Sequence, residues 1–332
     1  MKRREFLSSV LAASAGVSLF DFNLLKASPG SSVITARPLN YLYEDNKVTF
    51  YLKGLNAPVR IIQITDTHLW KDDSRGEPYR EFSKRMAGAY NVTKHFRTGA
   101  ETNPEKSFIE ALDYAKDSKA DIVTLTGDIF SFPSEAAIEW AYNEIQSRSL
   151  PYAYISGSHD WHYEGMKGSS QELRNTWTKQ RLARMYQGNY PLMASYNIKG
   201  IKILMIDNSV YDLLPEQLAF LERHEKEKVP YILMMHIPMY VPGKGYGVGD
   251  PSWGASKDKG YETEKRERWR ESGHLKSTFD FHKKLFSSEY LLGVFAGHTH
   301  NRYLDVIDGL PQFVTAANAT GAFTEINLVP LK

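Results

Sequence analysis

Asp66-Thr67-His68 sets a carboxylate and an imidazole two residues apart, and the same kinds of group return four more times along the chain. They recur in Gly127-Asp128, in Gly157-Ser158-His159-Asp160, at His236, and in Gly297-His298-Thr299-His300. Oxygen and nitrogen donors side by side suit a divalent cation such as Zn, Mn or Fe. Imidazoles and carboxylates also move protons near neutral pH. One D-x-H alone is weak, because an Asp and a His at a strand end are more often a cap and a surface residue. Five such groups in series form a pattern. The chain has 10 His, and five of them (His68, His159, His236, His298 and His300) fall within it.

Each group ends an apolar run, at 61–64, 121–126, 152–155, 231–235 and 291–296. Runs of this kind read as strands buried on both faces. Residues i and i+2 of a strand point to one side, so Asp66 and His68 are expected to leave the sheet together at its C-terminal edge. Open α/β sheets bind ligands there. The glycines before Asp128, Ser158 and His298 read as sharp turns where the strands stop. Helices are expected at 104–118, with Asn103 as N-cap and Phe108, Ile109, Leu112 and Ala115 on one face, and at 134–147 with Ser134 as cap. Two more are expected at 171–187 and at 215–228, the latter with Pro at its start. Their alternation with the strands is that of an α/β protein. Lys199-Gly200 joins runs 193–198 and 201–206 as a hairpin, which makes the sheet mixed. An early strand is expected at 47–52. Short strands near 302–307, 312–315 and 323–328 follow the last group, with a turn at Asp308-Gly309.

Two stretches do not fit the alternation. Residues 71–103 are polar and aromatic, with Trp70, Tyr79, Tyr90, His95 and Phe96 in or beside them, and read equally as a surface helix pair or as a wall of a substrate pocket. Residues 241–276 form an insertion. Its charged run, 257–274, is most simply a solvated helix. Its glycine-rich part follows His236 and places Tyr246, Asp250 and Trp253 on flexible backbone, which reads as an active-site lid.

In this order and strand context the five groups resemble the signature of the calcineurin-like metallophosphoesterase superfamily: D-x-H, G-D, G-N-H-D or G-N-H-E, a lone His, then G-H-x-H. The resemblance runs from about residue 58 to the C-terminus. It implies an α/β fold, a four-layer α/β/β/α sandwich with mixed sheets, formed by one domain at 28–332 that carries the lid-like insertion. It also implies two divalent metal ions (Mn, Zn or Fe). Asp66, His68, Asp128 and His300 would hold one, and Asp128, Ser158, His236 and His298 the other, with Asp128 bridging. A metal-bridging hydroxide would attack a phosphomonoester or phosphodiester, His159 would assist the leaving group, and Asp160 would hold the His159 ring. The family carries Asn where this chain has Ser158, a shorter and weaker ligand that binds directly, through a water, or leaves a position open. Purple acid phosphatases carry a ligating Tyr where this chain has Ser131, so tyrosinate-bound ferric iron is not expected. Two further readings stand beside a phosphatase: a cyclic-nucleotide or other phosphodiesterase, and a metal-binding scaffold protein with a weakened second site.

Residues 1–27 read as an export signal. Lys2-Arg3-Arg4 is basic, and the apolar stretch 6–20 is shorter than the roughly 20 residues of a membrane span. Arg3-Arg4-x-Phe6-Leu7 is similar to a twin-arginine signal, with a plain secretory signal or an uncleaved anchor as the alternative. A periplasmic or secreted location is therefore expected. The chain has no Cys, which rules out disulfides, thiolate metal sites and a Cys nucleophile. Its 41 basic and 39 acidic side chains leave a net charge of +2, with no electrostatic case for nucleic acid or an anionic membrane. The expected partner is a small-molecule phosphate ester.

Overall fold

The computed structural model describes residues 34, 36–37, 39–89, 93–244, 247–253 and 273–331. The expected export signal, Tyr90, Tyr246 and most of the charged run lie outside the described residues. Two six-stranded sheets dominate. The first runs, in spatial order, β1 (Tyr41–Glu44), β2 (Lys47–Leu52), β14 (Thr324–Pro330), β3 (Val59–Ile64), β6 (Ile122–Thr126) and β7 (Tyr152–Ile155). The second runs β12 (Tyr303–Ile307), β13 (Leu310–Val314), β11 (Leu291–Ala296), β10 (Tyr231–Met234), β9 (Ile201–Ile206) and β8 (Met193–Ile198). Both are mixed. Strands β3, β6 and β7 are mutually parallel, as are β9, β10, β11 and β13, while antiparallel pairs lie toward the edges and at β14–β3.

The period-2 alternation of the central strands divides their side chains between two cores. Ile61, Ala153, Ile203, Met205, Ile232, Met234 and Phe295 fall in one cluster, which both sheets share. Their neighbours Ile62, Tyr154, Leu204, Leu233 and Val294 fall in the other, with Phe108, Leu112, Ile138, Leu221 and Leu285. Those last five come from helices α2 (Pro104–Asp117), α3 (Glu135–Ser147), α6 (Pro215–Glu227) and α7 (Lys276–Phe286). Sheet faces sheet, and helices cover the outer faces, which gives the expected four layers. Local chemistry sets the boundaries. Asn103 Oδ1 accepts from Lys106 N at 2.9 Å and Ser134 Oγ from Ala137 N, each capping its helix. Lys199 and Gly200 have φ of 51° and 90°, and Asp308 and Gly309 have 50° and 78°. Left-handed φ at both turn residues matches the twist of a two-residue hairpin.

The structure departs from the sequence expectation in the irregular stretches. Among the described residues, 71–103 contain a 3-10 turn, one helix, α1 (Arg80–Ala89), and a small hairpin of β4 (Thr93–Lys94) and β5 (Glu101–Thr102) in place of a helix pair. The helix expected at 171–187 stops early, as α5 (Ser170–Gln180) followed by a 3-10 turn. Arg181 breaks it: its guanidinium donates to Tyr163 Oη at 2.8 Å and lies over the rings of Trp177 and Tyr79, so tertiary contact overrides the local pattern. Among the described residues no helix is long and apolar enough to cross a membrane.

Candidate metal centre

The parallel strands of both sheets deliver their ends to one edge, and the backbone there is not extended. Strand β3 stops at Ile64, and Asp66 and His68 have φ of 53° and 55°. Strand parity is therefore not what presents the two together. Asp128, His298 and His300 are also left-handed, at 51°, 69° and 58°. For residues with a Cβ this conformation costs about 1–2 kcal/mol each, and it persists only where surrounding contacts dictate it. Here they do. Asp66 N donates to Gly127 O (3.0 Å), His68 N to Asp128 O (3.0 Å) and Leu69 N to Ile129 O (2.8 Å), so the first loop lies against the second. On its other side Asn318 N donates to Thr65 O, Ala319 N donates to Asp66 O, and Thr67 Oγ1 donates to Asn318 Oδ1. His236 lies two residues past the end of β10, and two carboxamides fix the chain beyond it. Asn208 bonds both the N–H and the C=O of Ile237, and Gln312 does the same for Met239.

Of the three expected turn glycines, only Gly127 is left-handed (φ 90°). The other two allow close approach instead. A Cβ on Gly157 would stand 2.2 Å from Asp128 Oδ1, and one on Gly297 would stand 2.1 Å from Thr65 Oγ1 and 2.4 Å from Asp66 Oδ2.

These loops build two clusters, each with its ligand-type atoms within 4.8 Å of one another. In the first, His300 Nε2 lies 3.3 Å from Asp66 Oδ1 and 3.0 Å from His68 Nε2. In the second, His236 Nε2 lies 3.1 Å from Asp128 Oδ2, and the rings of His236 and His298 meet edge to face at 5.1 Å. The clusters touch, because Asp66 Oδ2 accepts from His298 N at 2.8 Å as well as from Thr65 Oγ1. Burial opposes ionisation throughout, and the neighbours decide the outcome. Burial alone would raise Asp66, yet the His300 imidazole beside it brings the carboxyl down to about 2. Asp128 is likewise held well below the carboxylate range by His236 and His159. Burial would lower His236, but the Asp128 carboxylate pushes it up to about 10. Burial and the neighbouring His300 and His159 drive His68 well down.

The donor set fits the divalent metal pair that the resemblance implies. Ser158 Oγ is buried and makes no hydrogen bond, a costly state for a polar atom that a cation relieves, and Asp66 Oδ1 and His236 Nε2 face only the other carboxylate and imidazole groups of the clusters. His236 Nδ1 meets Thr126 O at 3.0 Å, which leaves its Nε2 as the coordinating nitrogen.

His159 and Asp160 sit beside the clusters in different ways. His159 donates its backbone N–H to Asp128 Oδ1 at 2.9 Å, and its ring lies edge to face with His68 at 5.0 Å. Asp160, expected to hold the His159 ring, instead accepts from the backbone N–H of Gly157 (2.8 Å), Asp128 (3.0 Å) and Phe130 (2.8 Å). Position explains the difference. Asp160 is the third residue of the one-turn helix α4 (Ser158–Trp161), so its carboxylate turns back to that helix's own start and to the adjoining loop. Burial and the Asp128 carboxylate push its carboxyl up to about 8, against the pull of those amides. Ser131 Oγ donates to His68 O at 2.9 Å and so braces the first loop.

Residues 247–250 and Trp253 of the insertion are packed down. Met239 and Val248 form a bridge, Tyr240 N donates to Val248 O, and Asp250 and Trp253 are buried, not on open backbone. The sequence reading missed Asn208, Gln312 and Asn318, and it missed Tyr211, whose hydroxyl lies 2.6 Å from His298 Nε2. Strand β9 is followed by Asp207-Asn208-Ser209, a sixth polar strand end that signals the first of these.

Two touching carboxylate–imidazole clusters at the shared edge of two mixed sheets define an α/β protein with a candidate dinuclear metal centre. The chain belongs to the calcineurin-like phosphoesterase family, whose family model matches residues 59–302. Over 109 residues it is 26% identical to a protein of Moraxella catarrhalis (strain BBH18) named "Probable cyclic nucleotide phosphodiesterase". That match takes in 33% of this chain and 30% of the relative, so it spans under a third of that protein's length. Among solved structures the chain is similar to a dimetal phosphatase from Danio rerio, with TM-score 0.48, 11% identity, and 80% of this chain and 91% of that one covered. It is also similar to the purple acid phosphatase PPD1 from yellow lupin, with TM-score 0.47, 13% identity, and 83% and 46% covered.

Proposed function

We propose that the chain hydrolyses phosphate esters of small molecules with two divalent metal ions, one held by Asp66, His68 and His300 and the other by Asp128, His236 and His298, with Asp128 shared. The observation that carries this reading is the contact between the clusters through the Asp66 Oδ2 and His298 N bond. When bound, a metal pair neutralises charge on phosphoryl oxygens and lowers the pKa of water. The protein's own part is placement and proton handling. Thr126 O orients His236, Thr65 and the His298 amide orient Asp66, and the His159 amide orients Asp128. The His159 ring stands beside His68 and supplies a proton at the leaving oxygen. Asp160 ties the GD loop to the turn that carries His159. Residues 241–276, which follow His236 in the chain, act on substrate choice. Export to the periplasm or medium belongs to the same reading, and N-terminal sequencing of the mature protein tests it.

A second reading, hydrolysis of cyclic nucleotides or other diesters, is favoured by the stretch similar to the Moraxella protein. Metal-reconstituted protein assayed on p-nitrophenyl phosphate, bis-p-nitrophenyl phosphate, nucleotides and cyclic nucleotides separates the two. Metal-dependent turnover that a chelator removes is the expected result. Two bound metals with no turnover on any substrate would overturn hydrolysis in favour of a metal-binding scaffold.

A further inference from the structure

Tyr211 lies outside every signature block, two residues beyond the polar end of β9. It is 1% exposed and has φ of 61°, a conformation that makes a bulky residue an outlier. Strain of this kind persists where the surroundings impose it, and here four contacts do so. Tyr211 N donates to Asn208 O at 2.9 Å, and Tyr211 O accepts from His274 Nδ1 at 2.7 Å. The Tyr211 ring stacks on Trp253 at 4.7 Å and 20°, and Trp253 stacks in turn on His274 at 5.3 Å and 25°. The fourth contact is functional in kind: Tyr211 Oη meets His298 Nε2 at 2.6 Å.

A ligating imidazole binds metal through one nitrogen and hydrogen-bonds through the other. With Nε2 on the phenol, Nδ1 is the nitrogen left to join Asp128 and His236. We propose that Tyr211 is a positioning residue of the Asp128 cluster: its hydroxyl accepts the Nε2 proton of His298 and aims Nδ1 at the cluster, and the stack on Trp253 makes the insertion part of the metal centre's support. This deepens the metal-centre reading and rests on it. A purely structural Tyr211 would fill the core through its ring and need no hydroxyl.

Tyr211→Phe keeps the ring and removes the hydroxyl, and Trp253→Leu removes the stack and keeps the hydroxyl. Mn²⁺ calorimetry, with the thermal midpoint of the metal-free protein recorded alongside, is the measurement. Tyr211→Phe is expected to weaken one of two Mn²⁺ sites about 10- to 100-fold and leave the other site and the metal-free midpoint unchanged. Trp253→Leu is expected to weaken the same site. The loss should persist in a His300→Ala background and vanish in a His298→Ala background, as a shared interaction requires. Unchanged affinities in Tyr211→Phe overturn the proposal, as does equal weakening of both sites with a lowered metal-free midpoint, the mark of a structural role. Wild type that takes up no Mn²⁺ at all overturns the metal-centre reading itself, a separate result.

Discussion

The two clusters hold the same residue types and are braced differently. In the Asp128 cluster each group is fixed through an atom other than the one that faces its partners. Thr126 O holds His236 Nδ1, Tyr211 Oη holds His298 Nε2, and the His159 amide holds Asp128 Oδ1. In the Asp66 cluster the carboxylate is held in the same way, by Thr65 Oγ1 and the His298 amide, but His68 and His300 meet each other through Nε2 at 3.0 Å. Ligands braced from behind are preorganised, and they need little reordering when a cation enters. The Asp128 cluster is also the one beside which Ser158 stands, at the position where the resemblance implies an Asn. Bracing is therefore expected to contribute to its affinity for a cation beside the number of donors. The Asp66 cluster depends more on the cation to part its imidazoles.

Removing a carboxylate should have the largest effect and should show that the clusters are unequal. Asp128→Ala removes the second cluster's only carboxylate and the ligand proposed to be shared, and it frees the His159 amide, so turnover is expected at background, with the second metal lost and the first weakened. Asp66→Ala reaches further than its own cluster, because Asp66 Oδ2 also holds the backbone of His298. It is expected to weaken both metals, whereas His300→Ala weakens one. Two-site calorimetry with turnover on the same samples checks this. An Asp66→Ala protein that weakens a single site would mean that the bond between the clusters carries nothing.

The glycines allow a second, smaller test with matched chemistry. Gly157→Ala drives a methyl into Asp128 Oδ1, and Gly297→Ala drives one into Thr65 Oγ1 and Asp66 Oδ2. Both are overpacking changes in buried backbone, expected to cost about 1–3 kcal/mol of stability. They should differ in metal binding, with Gly157→Ala losing the second site first and Gly297→Ala the Asp66 site. Chemical denaturation and metal titration of the pair read this out. The same loss pattern in both would erase the distinction between the clusters.

What could be read from the sequence and what could not divide along physical lines. The central strands were legible because β-branched runs mark buried strands, and the six Asp and His residues of the clusters because residue type and order carry the chemistry. How Asp66 and His68 come together was not legible. Strand parity gave the right pairing for the wrong reason, since left-handed backbone at both residues is set by hydrogen bonds to Gly127, Asp128 and Ala319 that no local pattern encodes. Asp160 had an expected partner in sequence and found nearer ones in space. Tyr211, Asn208 and Gln312 act on residues 29 to 87 positions away, beyond any periodicity. Trp253 looked like a loop aromatic because glycines surround it, but the bridge at Met239 and Val248 folds that loop down and stacks its ring on Tyr211. The short strands β4 and β5 went unseen because two residues cannot show a period, and β1 because its alternation runs only between half-buried and exposed positions over four residues.

Ser158 should give the smallest effect and the most direct reading of how the Asp128 cluster is built. Its hydroxyl is fully buried and makes no hydrogen bond, although a buried hydroxyl left unpaired costs about 1–3 kcal/mol. Gly157 before it lies against Asp128, so the hydroxyl starts from backbone already in contact with the cluster. A carboxamide oxygen at this position reaches one bond further and is a stronger neutral donor to a divalent cation. Ser158→Asn is therefore expected to tighten the second site about tenfold, or 1.4 kcal/mol, and to raise turnover when metal is limiting. The Asp66 site should not change. Ser158→Ala separates the hydroxyl's two roles. The metal-free protein is expected to be as stable as wild type or more so, because an unpaired polar atom is gone, while the second metal binds more weakly. Calorimetry and thermal unfolding of the three proteins decide the matter. If Ser158→Ala binds the second metal as tightly as wild type and Ser158→Asn gains nothing, bracing of Asp128, His236 and His298 alone sets the affinity of that cluster.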